Sequence, residues 1–140
     1  GWKLAKVPEV LLLWRDSQTR LSRTSDRYSP KEFRNLKRFY LQAMGFFRKE
    51  RTLVQWGAGE VGKLWLREWI TPRPSAVVDI NPRKIGCVIH GFPVISPAEL
   101  KTVSEVFVVV AVGAPGARNE IRTWLNENGY RECLDYVFVA

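Results

Sequence analysis

At 140 residues the chain is one ordinary domain, or a small domain with an appendage, and 46% hydrophobic residues with six Trp and seven Phe are enough for a real core. No apolar run approaches the ~18 residues of a membrane-spanning helix. Cys87 and Cys133 lie too far apart for a metal spacing or a disulfide framework, so two reduced, packed thiols and a cytoplasmic setting are expected.

The formal charge of +8 is one-sided. Residues 1–51 carry 13 Lys and Arg against 5 Asp and Glu, whereas residues 52–140 carry 9 against 9. The basic front could meet phosphate, an anionic membrane surface or an acidic neighbouring surface, and nucleic acid is not expected as a partner of the neutral body.

The front opens on GWKLAKVPEVLLLWRDSQTRLSRTSDRYS. Val10 to Trp14 has the look of a buried strand, and it turns abruptly into a segment rich in Arg, Ser and Thr. Residues 1–28 therefore read as the tail of something larger. A helix and linker follow over 29–51. Ser29-Pro30-Lys31-Glu32 is a capping box with Pro at the first helical position. Phe33, Leu36, Tyr40, Met44 and Phe47 recur at helical spacing and are expected to face inward. Lys31, Arg34, Lys37, Arg38, Arg48 and Lys49 lie mostly off that stripe and are expected in solvent.

The body, 52–140, alternates strands and helices. TLVQW (52–56) reads as a strand, 59–70 as a helix stopped by Thr71-Pro72-Arg73-Pro74, and SAVVDI (75–80) as a strand. NPRKIG is a turn, and CVIHGFPVI (87–95) is extended with a break at Gly91. Ser96 caps a short helix with Pro97 at its first position. VFVVVAV (106–112) is a strand buried on both faces. GARNEIRTWLNENGY is a helix with Ile121, Trp124 and Leu125 inward and Gly129 as its stop; LDYVFVA closes as a strand.

This alternation predicts an α/β fold with a small, doubly wound, Rossmann-like parallel sheet of order 3-2-1-4-5. Its order would reverse between TLVQW and VFVVVAV, and ligands bind at the carboxyl ends of strands at such a point. Both strands run into small-residue turns, Trp56-Gly57-Ala58-Gly59 and Val112-Gly113-Ala114-Pro115-Gly116.

Gly57-x-Gly59-x-x-Gly62 follows a strand and opens a helix, the context a dinucleotide fingerprint requires. The first glycine makes the tight turn, the second lets backbone approach a pyrophosphate, and the third lets helix and strand pack. Asp79, 20 residues beyond Gly59, could hold the hydroxyls of a nucleoside ribose, and its charge would repel a 2′-phosphate. Glu60 would sit beside the phosphates and weaken anion binding; Arg83, Lys84 and Arg118 could offset it. Gly113 completes the set. NAD or a nucleotide-sugar is the expected ligand. His90 has no Ser, Cys or carboxylate partner in view, and no catalytic residue or metal ligand is assigned.

VPEVLLLWRDSQTRLSR followed by TSDRYSPKEF resembles the end of the catalytic domain of bacterial family 2 glycosyltransferases. The body, WGAGEVGKLW…VVDINPRKIGCVIHGFPV…VVVAVGAPGARNEIRTWL, resembles the small Rossmann-like domain appended to some of those enzymes. Its D-x-N-P-x-K-I-G with a following G-x-P-V is also similar to the NAD-binding domain of redox-sensing repressors and to the sugar-nucleotide-binding domain of sugar acyltransferases.

The resemblance implies a C-terminal piece of a transferase that moves a sugar from a nucleotide donor with inversion. Its partner would be its own catalytic domain, with a membrane surface reached through the parent protein. The chain holds no Asp-x-Asp for metal and sugar diphosphate, so it is not expected to catalyse the transfer alone. Arg15 and Arg23 fall, by resemblance, near the donor or acceptor cleft. Two other readings stand beside this accessory role: an NAD(H)-binding redox-sensing or oxidoreductase module, and a structural docking domain with an empty crevice.

Overall fold

A computed structural model describes residues 7–13 and 15–140, which fall into two compact units, Gly1–Phe33 and Arg34–Ala140. In the first unit, α1 (Leu21–Thr24) and a 3-10 turn (Asp26–Tyr28) precede α2 (Pro30–Ala43), which continues into the second unit. The Ser29 hydroxyl accepts from the Glu32 amide at 3.3 Å, as the capping sequence requires. Val10 to Leu13 were expected as part of a buried strand, but they form none and stay exposed. A strand needs a hydrogen-bonding neighbour, and this segment belongs to no sheet. Trp14, the end of that expected strand, lies outside the described residues.

The second unit is built on β1 (Thr52–Trp56), α3 (Glu60–Glu68), β2 (Ala76–Val78), β3 (Val88–Ile89), β4 (Phe92–Ile95), α4 (Pro97–Leu100), β5 (Val106–Val110), α5 (Ala117–Glu127) and β6 (Tyr136–Phe138). Its sheet has the order β3-β4-β2-β1-β5-β6. The run β4-β2-β1-β5-β6 is parallel and matches the expected 3-2-1-4-5. The difference is an added sixth strand: β3 pairs antiparallel with β4 at the edge. His90 (φ 51°) and Gly91 (φ 81°) turn the chain there, so the break expected at Gly91 is a hairpin.

Both faces of the sheet are covered, which is why β5 reads as an unbroken run of buried β-branched and aromatic residues. On one face Trp65, Leu66 and Trp69 from α3 and its end, with Leu41 of α2, pack on Leu53, Val77, Phe107 and Val109. On the other, Leu100, Ile121 and Leu125 pack on Val54, Val78, Val108 and Val110. The short α4 has a complete capping box between Ser96 and Glu99.

Helix α2 reverses its expected orientation. Phe33, Leu36, Tyr40 and Met44 are 49%, 50%, 54% and 70% exposed. In the second unit it is the basic side that turns inward: Arg34 and Arg38 both reach Glu68, at 2.7 and 2.9 Å, and Lys37 donates to the Val139 carbonyl at 2.6 Å. The Arg38 guanidinium also lies over the Trp65 ring, 5.3 Å from its centroid. A carboxylate on the receiving surface selects the cationic face, and the long arginine stems cover apolar surface on the way. Phe47 does pack inward, edge-on to Trp69 and Phe107, but beyond the helix end. Cys87 and Cys133 are free and exposed rather than packed.

Candidate functional site

The carboxyl ends of β1 and β5 are adjacent in the sheet, and each feeds a turn whose glycines have different reasons to be there. Gly57 has φ 114°, and a Cβ on it would stand 2.6 Å from the Val112 side chain. A Cβ on Gly62 would stand 2.0 Å from the Gly57 carbonyl oxygen, and one on Gly113 would stand 2.8 Å from the Val61 side chain. Turn geometry and helix–strand packing account for these three. Gly59 is different: a Cβ there would meet nothing within 4 Å. It is the N-cap of α3, with no side-chain cap on the helix, so the first amides of a nine-residue helix are left to another acceptor.

Gln55 supports this turn from below. Fully buried in β1, its side-chain nitrogen donates to the carbonyls of Gly57 (2.9 Å) and Gly62 (3.0 Å). A polar residue in the middle of TLVQW was the sequence signal for it, and sequence reasoning passed over it.

Asp79 follows β2 and closes the side of the same turn. Its Oδ2 accepts from the Ala58 amide (3.0 Å) and the Lys84 ammonium (2.9 Å), and Oδ1 accepts from the Asn81 amide (2.8 Å). Burial alone would push this carboxyl up. The Asn81 amide, Lys84 and the Ala58 amide outweigh it and hold the group below the ordinary aspartate value. Lys84 also donates to the Ala58 carbonyl at 3.2 Å, so the pair ties the glycine turn to the segment after β2.

These elements enclose a crevice of about 610 Å³. Its walls are mostly apolar, with Trp56, Val61, Ile121 and Trp124 contributing, and its charged residues are Glu60, Asp79, Lys84 and Glu120. A mainly apolar concavity with a few placed polar groups at a strand-order reversal is the usual form of a small-molecule site.

Of the residues expected from the sequence, Gly57, Gly59, Glu60, Gly62, Asp79 and Gly113 come together on this crevice. Arg83 and Arg118 do not line it. Arg83 sits on the exposed turn after β2, where its amide donates to the Asn81 side chain. The Arg118 guanidinium lies over Phe138, 4.9 Å from the ring centroid, and donates to the Ala140 carbonyl. Glu60 points to solvent, with its side chain 94% exposed and 3.4 Å from the Lys63 ammonium. In the first unit Arg15 is exposed, while Arg23 pairs with Asp16 and reaches Gln18. His90 accepts from the Arg67 guanidinium at 3.2 Å, away from the crevice. Among the described residues no cluster of His, Cys, Asp and Glu could hold a metal ion, and no helix is long and apolar enough to cross a membrane.

No family model and no curated protein matches the chain. Solved structures do. They include RSP, a Rex-family repressor, at 15% identity and a TM-score of 0.51, with 86% of this chain and 66% of that one covered. RSP in complex with β-NADH aligns at 16% identity and the same TM-score, over 76% of this chain and 61% of that one. RSP in complex with β-NAD+ and operator DNA aligns at 15% and 0.51, over 75% and 56%. The chain thus spans under two thirds of each neighbour. None of these likenesses carries the glycosyltransferase resemblance. At such identities they show the fold alone, and that fold is the Rossmann-like α/β arrangement expected from the sequence.

Proposed function

We propose that residues 52–140 bind a nucleotide in the crevice, with an NAD(H)-type dinucleotide as first candidate. The observation that carries this reading is Gly59, the one fingerprint glycine that the protein's own packing does not require. It leaves a side-chain-sized opening beside the uncapped amides of α3, where a diphosphate would draw on those N–H groups and the positive end of the helix dipole. The neighbours solved with β-NAD+ and β-NADH lend support to the dinucleotide. When bound, such a cofactor would supply redox chemistry; this chain's part is to hold the diphosphate at Gly59 and shield the rest among Trp56, Ile121 and Trp124.

A glycosyltransferase accessory role would use the same crevice for a nucleotide-sugar and dock to a catalytic domain. It rests on the resemblance of residues 7–33 to the end of a family 2 catalytic domain and of the body to the domain appended to some of those enzymes. Exclusion of nucleic acid finds no support, since one neighbour was solved on operator DNA and the front here is basic.

The test is thermal melting of the chain with NAD, NADH, UDP, UDP-sugars and GDP-sugars, followed in parallel by tryptophan fluorescence, to which Trp56 and Trp124 of the crevice contribute. A ligand at 100 times its dissociation constant adds about 2.7 kcal/mol, a shift of several degrees. A shift with NAD or NADH that disappears in Gly59→Val supports the dinucleotide. A shift with the sugar nucleotides alone moves the reading to the transferase. No shift with any of them leaves a docking domain with an empty crevice.

A further inference from the structure

Asp79 was expected to repel a phosphorylated ribose, but the structure gives that corner of the crevice a different character. The carboxylate is no longer a bare charge. Three protein donors occupy it, and one is the ammonium of Lys84, 2.9 Å from Oδ2. Acid and base therefore present themselves as a neutral unit, with side chains 10% and 29% exposed.

An ammonium has three donors. Lys84 directs two of them at Asp79 and the Ala58 carbonyl, and it still lines the crevice. Asp79 has spent most of its lone pairs on the protein, so it is a poor partner for two ribose hydroxyls at once. What the corner offers a ligand is a remaining N–H on a cation, beside a carboxylate whose charge that cation already compensates. The crevice's other carboxylates, Glu60 and Glu120, lie on α3 and α5 and not on this segment.

We infer that the Asp79–Lys84 pair makes the crevice accept a nucleoside whose ribose carries a phosphomonoester, read by Lys84. This inference rests on the nucleotide reading above and specifies its ligand class. The ester could come from a 2′-phosphorylated dinucleotide or from a 3′-phosphorylated adenosine carrier. Both offer the same chemistry, a dianionic phosphate on the ribose beside the base.

The experiment measures affinity by calorimetry at fixed ionic strength for 5′-AMP, 2′,5′-ADP and 3′,5′-ADP, with NAD and NADP alongside. At least one phosphomonoester should bind about tenfold or more tightly than 5′-AMP, equivalent to about 1.4 kcal/mol. The position that gains identifies the source. In Lys84→Met the ratio of phosphomonoester to 5′-AMP affinity, taken within the same variant, should fall to about one or below, and Lys84→Arg should restore much of it. The unliganded melting temperature of each variant reports separately on folding.

If 5′-AMP and NAD bind and each added phosphate weakens binding, Asp79 acts as a bare acid and the inference falls while the nucleotide reading stands. If none of the five ligands binds, the inference and the dinucleotide reading fall together. The wild-type comparison decides between these outcomes even if a variant fails to fold.

Discussion

The indole N–H of Trp69 donates to the side-chain oxygen of Gln55 at 2.8 Å, and both residues are buried. Trp69 is the C-cap of α3, while Gln55 sits under the glycine turn at the helix start, so one side-chain amide links the two ends of the same helix. Replacing Gln55 with Leu would keep its volume but take a donor from the Gly57 and Gly62 carbonyls and leave the buried Trp69 indole N–H without its acceptor. An unsatisfied buried group costs about 1–3 kcal/mol. Urea unfolding of Gln55→Leu should show a loss of several kcal/mol, and a loss under 1 kcal/mol would mean that water replaces the amide.

The glycines should separate by function. Gly62→Ala places a Cβ 2.0 Å from a backbone oxygen, which must move. A loss of about 3 kcal/mol or more is expected, since neither backbone segment can yield cheaply. Gly59→Ala meets open space and should stay within about 1 kcal/mol of wild type, the scale of an N-cap change. Its effect should instead appear in nucleotide affinity, read by titration of tryptophan fluorescence.

Acid should destabilise the domain through identifiable carboxylates. At Glu68 burial pushes the carboxyl up, but hydrogen bonds and charge from Arg34 and Arg38 prevail and hold it below its ordinary value; Asp79 is held low in the same sense. A carboxylate lowered by folding contributes stability above its unfolded value, about 4, and loses it as pH falls through the folded value. Melting temperature should therefore be flat near neutrality and drop below about pH 4. Glu68→Gln should flatten part of that drop and, by leaving Arg34 and Arg38 without their counter-charge, cost about 1–3 kcal/mol at neutral pH.

Substitutions on α2 distinguish its two sides. Leu41 is its one buried residue, and Leu41→Ala should cost about 2–4 kcal/mol. Leu36→Ser, on the exposed stripe, should change stability by no more than about 0.5 kcal/mol. Equal losses from the two would show that the stripe is covered in solution.

Most of the body was legible because its rules are local. Strand β5 is a buried β-branched run, α4 carries its own capping box, and the order of the five parallel strands follows from crossover connections. The glycine turn was legible for the same reason. Two features required partners distant in sequence. The facing of α2 is decided by Glu68, more than 30 residues away from Arg34, and hydrophobic periodicity does not weigh a buried carboxylate. The compensation of the Asp79 charge depends on where the Lys84 side chain folds back, which spacing alone leaves open.

The hairpin that added β3 also determines how the sheet ends. One border is a strand of two residues and the other a strand of three, β6. Neither offers a long row of unpaired amides and carbonyls on which another chain could zip. Short borders of this kind are how sheet proteins avoid templating one another. The domain thus keeps its buried, apolar segment Val106–Val110 inside the sheet, four strands in from the β3 border and shielded on the other side by the brief β6.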